Sequence, residues 1–147
     1  MTEAHLDREA IEALLQSHDI YPTQQRVEIA QILLARRQHL SAEQVLILVN
    51  DGRTVVSKAT VYNTLGLFAQ KGLIREVIVD PTKVFYDPNT SEHYHFYNLD
   101  TGSLMDIDAH QIAIGSLPPV PEGTAAVGVD IIIRVRGTEH DSSQHAP

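Results

Sequence analysis

The stretch SKATVYNTLGLFAQKGLIREVIVDPTKVFY, residues 57–86, changes its hydrophobic period partway along. Ser57 suits a helix N-cap, and Val61, Leu65 and Phe68 recur at the spacing that lays apolar side chains along one helical stripe. Gly72 suits a left-handed helix stop. Residues 73–79 and 83–86 then read as two strands joined by Asp80-Pro81-Thr82, where Pro at the second turn position favours a type I turn. A helix running straight into a short hairpin is the layout of a recognition helix and its wing in a winged helix-turn-helix.

Working outward, the preceding residues read as helices. Leu6, Ala10, Ile11, Leu14 and Leu15 form one stripe, and Tyr21-Pro22 breaks it because proline disfavours helical backbone in the residue before it. Thr23 caps a second helix with Val27, Ala30, Leu33 and Leu34 on its apolar side. Ser41-Ala42-Glu43-Gln44 has capping-box form and opens a third helix with Val45, Leu46, Leu48 and Val49, closed by Asp51-Gly52. Beyond the hairpin the chain reads mainly as strand, over 93–99, 103–107 and about 125–136. Residues 108–116 suit a short helix, and Pro118-Pro119-Val120-Pro121-Glu122-Gly123 a loop. The expected fold class is α+β. A winged helix-turn-helix spans 1–83, a smaller and mainly strand region 84–137, and a disordered polar tail 138–147.

Charge supports this division. The 147 residues carry 11 Lys and Arg against 19 Asp and Glu, a formal −8 with eight His neutral. So acidic a total argues against nucleic acid. Residues 1–83, however, hold 9 basic and 10 acidic side chains, net −1, whereas 84–147 hold 2 and 9, net −7. Within 53–83 five basic side chains face two acidic ones, net +3. The acidity belongs to the second half, and a basic segment coincides with the candidate recognition helix and wing. Cysteine is absent, which excludes a disulfide framework, thiolate zinc, an iron–sulfur cluster and a Cys nucleophile. No apolar run is long enough for a membrane span, and the N-terminal residues lack an apolar signal core, so the expected setting is the cytoplasm.

With the apolar side of the fourth helix turned inward, Ser57, Lys58, Thr60, Tyr62, Asn63 and Thr64 remain for the outer side and first turn. Tyr suits a thymine methyl or a phosphate, Asn an adenine edge, and Ser, Thr and Lys phosphates. Gln25 and Arg26, at the start of the second helix, suit phosphate, and Arg75 on the wing suits the DNA backbone. The plainer reading is a polar solvent face; the adjoining wing and the local positive charge favour the DNA reading.

His93-Tyr94-His95 in a strand puts both imidazoles on one face. They can chelate a first-row divalent ion, with Asp87 and Asp106 as neighbouring oxygen donors and His39 before the third helix. Three nitrogens and two carboxylates suit Fe(II), Mn(II) or Zn(II) and are too nitrogen-rich for Ca or Mg. The plainer reading is a pair of surface histidines with no ligand. His5, His18, His110, His140 and His145 read as solvated. A His/Asp metallohydrolase would use the same donors with a carboxylate as general base, but a winged-helix first half offers no reason for a substrate cleft, so a non-enzymatic role is expected.

Taken in order, Tyr21-Pro22-Thr23-Gln24-Gln25-Arg26, His39-Leu40-Ser41-Ala42-Glu43, Ala59-Thr60-Val61-Tyr62-Asn63-Thr64-Leu65, Lys71-Gly72-Leu73-Ile74 and His93-Tyr94-His95 with Asp100-Thr101-Gly102 behind it resemble the ferric uptake regulator superfamily. The resemblance covers roughly residues 6–136. It implies a winged-helix DNA-binding domain over 1–83 and a small α/β metal-binding dimerisation domain over 84–137, forming a homodimer on a near-palindromic double-stranded DNA operator, with a regulatory metal held between domains. His39 matches the ligand from the DNA-binding domain, His93 and His95 the strand pair, Asp106 the carboxylate after the Gly turn, and Asp87 the carboxylate before the His pair as the peroxide-sensing branch places it. In the iron-uptake branch that place falls at Tyr86 instead. The superfamily's structural zinc takes two Cys-x-x-Cys pairs; Asn98 and Thr101 stand in the first pair's places and the second is missing, so that site cannot form. Tyr94 stands where the second regulatory site usually has a carboxylate. Details such as Asp80-Pro81-Thr82-Lys83-Val84-Phe85-Tyr86-Asp87 and Leu104-Met105-Asp106-Ile107 are similar to the iron response regulator branch. That branch implies control of iron homeostasis and a response to haem, for which His93 and His95 are the alternative axial ligands. Peroxide or manganese sensing is the alternative within the superfamily.

Overall fold

The computed structural model describes residues 7–35, 39–51 and 56–138. The expectations for Leu6, Gly52, His5, His140, His145 and nearly all of the polar tail lie outside them. Two compact units divide the chain, Met1–Thr90 and Ser91–Pro147.

In the first unit, α1 (Arg8–Ser17) starts where Asp7 accepts the Ala10 amide at 2.9 Å. It ends before the Tyr21-Pro22 break expected of it. Asp19 takes φ +62°, and the Ile20 N–H turns back to the Leu15 carbonyl at 2.9 Å, a left-handed closure performed by a residue other than glycine. In α2 (Gln24–Ala35) the Thr23 hydroxyl accepts the Arg26 amide at 3.3 Å, and Val27, Ile29, Ala30 and Leu33 are buried. A two-residue strand β1 (Leu40–Ser41) leads into α3 (Ala42–Val49), where the capping box forms: Ser41 Oγ accepts the Gln44 amide and Gln44 Oε1 accepts the Ser41 amide. The next helix, α4 (Lys58–Gln70), is capped by Ser57 and buries Val61, Leu65 and Phe68. Thr64, expected on the outer side, is buried beside them, since position 64 lies one turn before Phe68 on the same stripe. Gly72, at φ +78°, closes α4, with the Leu73 amide on the Phe68 carbonyl.

The hairpin strands are β2 (Arg75–Asp80) and β3 (Lys83–Asp87), linked through Asp80, whose Oδ1 accepts both the Thr82 amide and hydroxyl. In the sheet order β1-β3-β2, β3 is central. For this reason the unit boundary falls after Thr90 and not after Lys83: β3 is held on both edges by first-unit strands, and Asp87 belongs with them. The core gathers Ile11 and Leu15 of α1, Ile29 and Leu33 of α2, Val45 of α3, and Leu65 and Phe68 of α4, all without exposed surface.

The second unit is a three-stranded sheet of β4 (His93–Asn98), β5 (Leu104–Asp108) and β6 (Ile132–Val135) in the order β5-β4-β6. β4 runs antiparallel to β5 and parallel to β6. In the β4–β5 turn, Asn98 Oδ1 accepts the amides of Asp100 and Thr101 at 2.8 and 3.1 Å, Thr101 Oγ1 meets Ser103 Oγ at 2.8 Å, and Gly102 takes φ +75°. Two expectations give way here. Residues 108–116 form only a 3₁₀ turn, Ala109–Gln111, because Ile112 and Ile114 are β-branched and Gly115 and Pro118 follow. The strand expected over 125–136 is confined to β6. Residues 112–131 carry neither helix nor strand, with Leu117, Val120 and Val127 exposed, and pairing with β4 begins only at Ile132. Among the described residues, no helix is long and apolar enough to cross a membrane.

Candidate metal centre

In the second unit, β4 delivers its two histidines to one face, and the register sets Asp106 of β5 directly opposite His95. His93 and His95 are nearly completely buried, at 4% and 2% exposure. Their rings meet edge to face with centroids 4.6 Å apart. Both Nε2 atoms approach the same oxygen, Asp106 Oδ1, His93 at 3.6 Å and His95 at 3.5 Å. His93 Nδ1 lies 2.7 Å from the Ser91 carbonyl. A carbonyl only accepts, so Nδ1 carries a hydrogen, and Nε2 is the nitrogen turned to Asp106. A backbone partner on the far nitrogen is how ligating histidines are oriented in metal sites.

In the first unit the β1–β3 register brings a second pair together. Leu40 stands opposite Tyr86 and Ser41 opposite Phe85, which carries His39 to Asp87. His39 Nε2 lies 3.0 Å from Asp87 Oδ2, while Asp87 Oδ1 accepts the Asn89 amide at 2.9 Å. Asp87 is buried, at 4% exposure. Tyr86, the other reading of this position, points to the opposite face by the strand's alternation and joins the hydrophobic core. Burial, followed by the charges of Glu76 and Glu43, raises its hydroxyl pKa above the ordinary tyrosine value.

These distances test each donor group against a first-row ion. Bond lengths of about 2.0–2.2 Å to imidazole and carboxylate put neighbouring ligand atoms roughly 3.0–3.5 Å apart in octahedral or tetrahedral shells. The pairs within each unit match that spacing, and the 3.5 and 3.6 Å separations exceed ordinary hydrogen-bond length. Each unit by itself supplies too few donors for a full shell.

The DNA candidates divide by exposure. Ser57, Lys58, Tyr62 and Asn63 are exposed along the start of α4. Thr60 is half-buried and its Oγ1 accepts from Ser57. Gln25, Arg26 and Arg75 are half-buried, and Arg26 donates to the Tyr21 carbonyl at 2.9 Å. Lys58 Nζ stands 5.7 Å from the Tyr62 ring centroid. Sequence reasoning missed one participant: Tyr62 donates its hydroxyl hydrogen to Glu43 Oε2 at 2.7 Å. That bond, with burial and the carboxylate charge behind it, raises the Tyr62 pKa. Nothing in the sequence marks a contact between residues on different helices. His18 also differs from its expectation, being half-buried with Nδ1 3.2 Å from the Lys71 carbonyl; His110 is exposed.

The ferric uptake regulator family model matches residues 7–116. The peroxide-responsive repressor PerR of Staphylococcus aureus (strain Mu50 / ATCC 700699) is 29% identical over 108 residues, 74% of this chain and 72% of the relative. Among solved structures, the ferric uptake regulator from Pseudomonas aeruginosa with manganese has a TM-score of 0.66 at 25% identity, covering 86% of this chain and 96% of that one. The Francisella tularensis ferric uptake regulator with iron gives 0.66 at 21%, covering 82% and 93%, a likeness of fold. With a family model spanning most of its described residues, this chain belongs to the ferric uptake regulator family.

Proposed function

We propose that this protein is a metal-responsive transcription regulator that binds near-palindromic double-stranded DNA as a homodimer and acts in iron homeostasis. The observation that carries the metal reading is the approach of two buried imidazole Nε2 atoms to one Asp106 oxygen, with His93 oriented by a backbone carbonyl. His39, Asp87, His93, His95 and Asp106 would hold one divalent first-row ion. When bound, that ion supplies coordinate bonds to these side chains. The first unit is the winged-helix reader: α4 presents Ser57, Lys58, Tyr62 and Asn63, while Arg75 on β2 and Gln25 and Arg26 on α2 face the DNA backbone. The second unit is the dimerisation domain, consistent with the exposed apolar side chains Leu117, Val120 and Val127. With a reader whose net charge is slightly negative, −1 over residues 1–83, non-specific DNA affinity is low, and effector binding has more to decide.

Manganese draws support from the Pseudomonas aeruginosa relative, solved with that metal. Metal content of protein purified without chelator tests the reading. The expected result is about one first-row ion per chain, lost in a H93A/H95A double variant that still folds. Equal metal content in both proteins, or none in either, contradicts it.

A peroxide response is the second reading, favoured by the named role of the Staphylococcus relative and by a set of three His and two Asp donors. Its test is a 16-Da mass gain on a ligand histidine when the Fe(II)-loaded protein meets hydrogen peroxide, absent from the Mn(II)-loaded protein. A haem response draws less support. Bis-histidine ligation places iron between two imidazoles on opposite porphyrin faces, whereas His93 and His95 touch edge to face. A haemin titration with no Soret shift dependent on His93 and His95 removes that reading. The metallohydrolase reading finds no support in a family of regulators.

A further inference from the structure

We infer that Glu43 is a positioning residue for DNA reading: by accepting the Tyr62 hydroxyl hydrogen it fixes that ring on the exposed side of α4 and withdraws the hydroxyl from phosphate. The inference rests on the reading of α4 as the DNA-reading helix. Glu43 sits in the first turn of α3, where the helix N-terminus favours a carboxylate. The Ser41–Gln44 capping box fastens that turn, so the acceptor is carried on a rigid element. Its partner Tyr62 is 38% exposed, one turn after Lys58 on α4. A 2.7 Å bond to an ionised carboxylate is short and charge-assisted, and it holds the far end of the ring, which settles both side-chain torsions.

The consequence follows from donor arithmetic. A tyrosine hydroxyl has one hydrogen. Once given to Glu43 it is not available to a phosphate oxygen, and the adjacent carboxylate repels phosphate. What Tyr62 then offers DNA is its ring, and an apolar ring contact to a base edge carries sequence information where a phosphate contact does not. Glu43 thereby turns Tyr62 from a residue that adds affinity for any DNA into one that discriminates.

The test uses full-length, Mn(II)-loaded protein and a duplex selected by the wild type from a random pool. Anisotropy at one salt concentration gives the affinity ratio between that duplex and a scrambled one. E43A and E43D are each expected to lower the ratio about five- to ten-fold, E43D because it keeps the charge but withdraws the acceptor by one methylene. E43Q, whose amide oxygen accepts the same hydrogen, should stay within about two-fold of wild type. In a Y62F background E43A should add nothing further. A ratio unchanged in E43A and E43D overturns the inference. So does E43D matching wild type while E43Q matches E43A, since charge alone would then be acting. If Y62A and N63A leave DNA binding intact, the DNA reading of α4 itself fails; if they weaken it while the Glu43 variants do not, only the inference fails.

Discussion

The first unit closes over its own core, and the second does not. In the first, four helices bring seven or more apolar side chains to zero exposure around Phe68. In the second, a three-stranded sheet buries Tyr94, Tyr97 and Ile107, while Leu117, Val120 and Val127 stand exposed on a twenty-residue stretch without helix or strand. The same contrast runs through the donors: His39 and Asp87 pair in one unit, and His93, His95 and Asp106 gather in the other, neither a full shell. A self-sufficient unit is suited to reading. A unit with exposed apolar surface and buried imidazoles is suited to being completed by something else.

The largest effect that can break this comparison lies in the core. Phe68→Ala should destabilise the first unit by about 3–5 kcal/mol in urea melts. By contrast, Leu117→Ser with Val127→Ser should leave the melt of dilute protein nearly unchanged but raise the dimer dissociation constant about ten-fold or more in sedimentation equilibrium. A reversed pattern would mean that the exposed stretch serves its own chain. Next in size, His93→Ala and His39→Ala should each weaken Mn(II) affinity by about 100-fold, measured by competition with a fluorescent chelator. A loss confined to one of them would assign the ion to one unit alone.

Smaller effects sharpen the account of local structure. Asn98→Ala removes the acceptor that gathers the Asp100 and Thr101 amides and should cost about 1–2 kcal/mol. No sensitivity to chelators is expected of that turn, since Asn98 and Thr101 offer no thiolate to a zinc ion. The smallest effect concerns two helix ends with the same closure. Gly72→Ala strains a φ of +78° and should cost about 1 kcal/mol, whereas Asp19→Gly relieves a φ of +62° and should stabilise by about 0.5–1 kcal/mol in thermal melts.

The features legible in the sequence are those set by near neighbours. Ser41 and Ser57 cap helices because the amide they satisfy lies three residues on. His93 and His95 share a face because strand period is two, and that alternation separates Asp87 from Tyr86. What escaped reading depends on partners distant along the chain. The boundary after Thr90 rests on β1, a two-residue strand too short to leave a pattern. The early end of α1 rests on Asp19 adopting a conformation that glycine usually marks. The strand expected from 125 onward forms only from Ile132, where pairing with β4 begins, and alternation along one segment does not show where its partner strand starts. The Glu43–Tyr62 bond joins two helices across nineteen residues and leaves no trace in either segment.

The central claim is that metal held by these histidines and aspartates governs DNA binding. Its most direct test is the affinity for one selected duplex, at one salt concentration, of wild type and His93→Ala with and without Mn(II). The account predicts that Mn(II) tightens wild-type binding by about 5- to 150-fold and leaves His93→Ala unmoved. Equal wild-type affinity in the two conditions would contradict it.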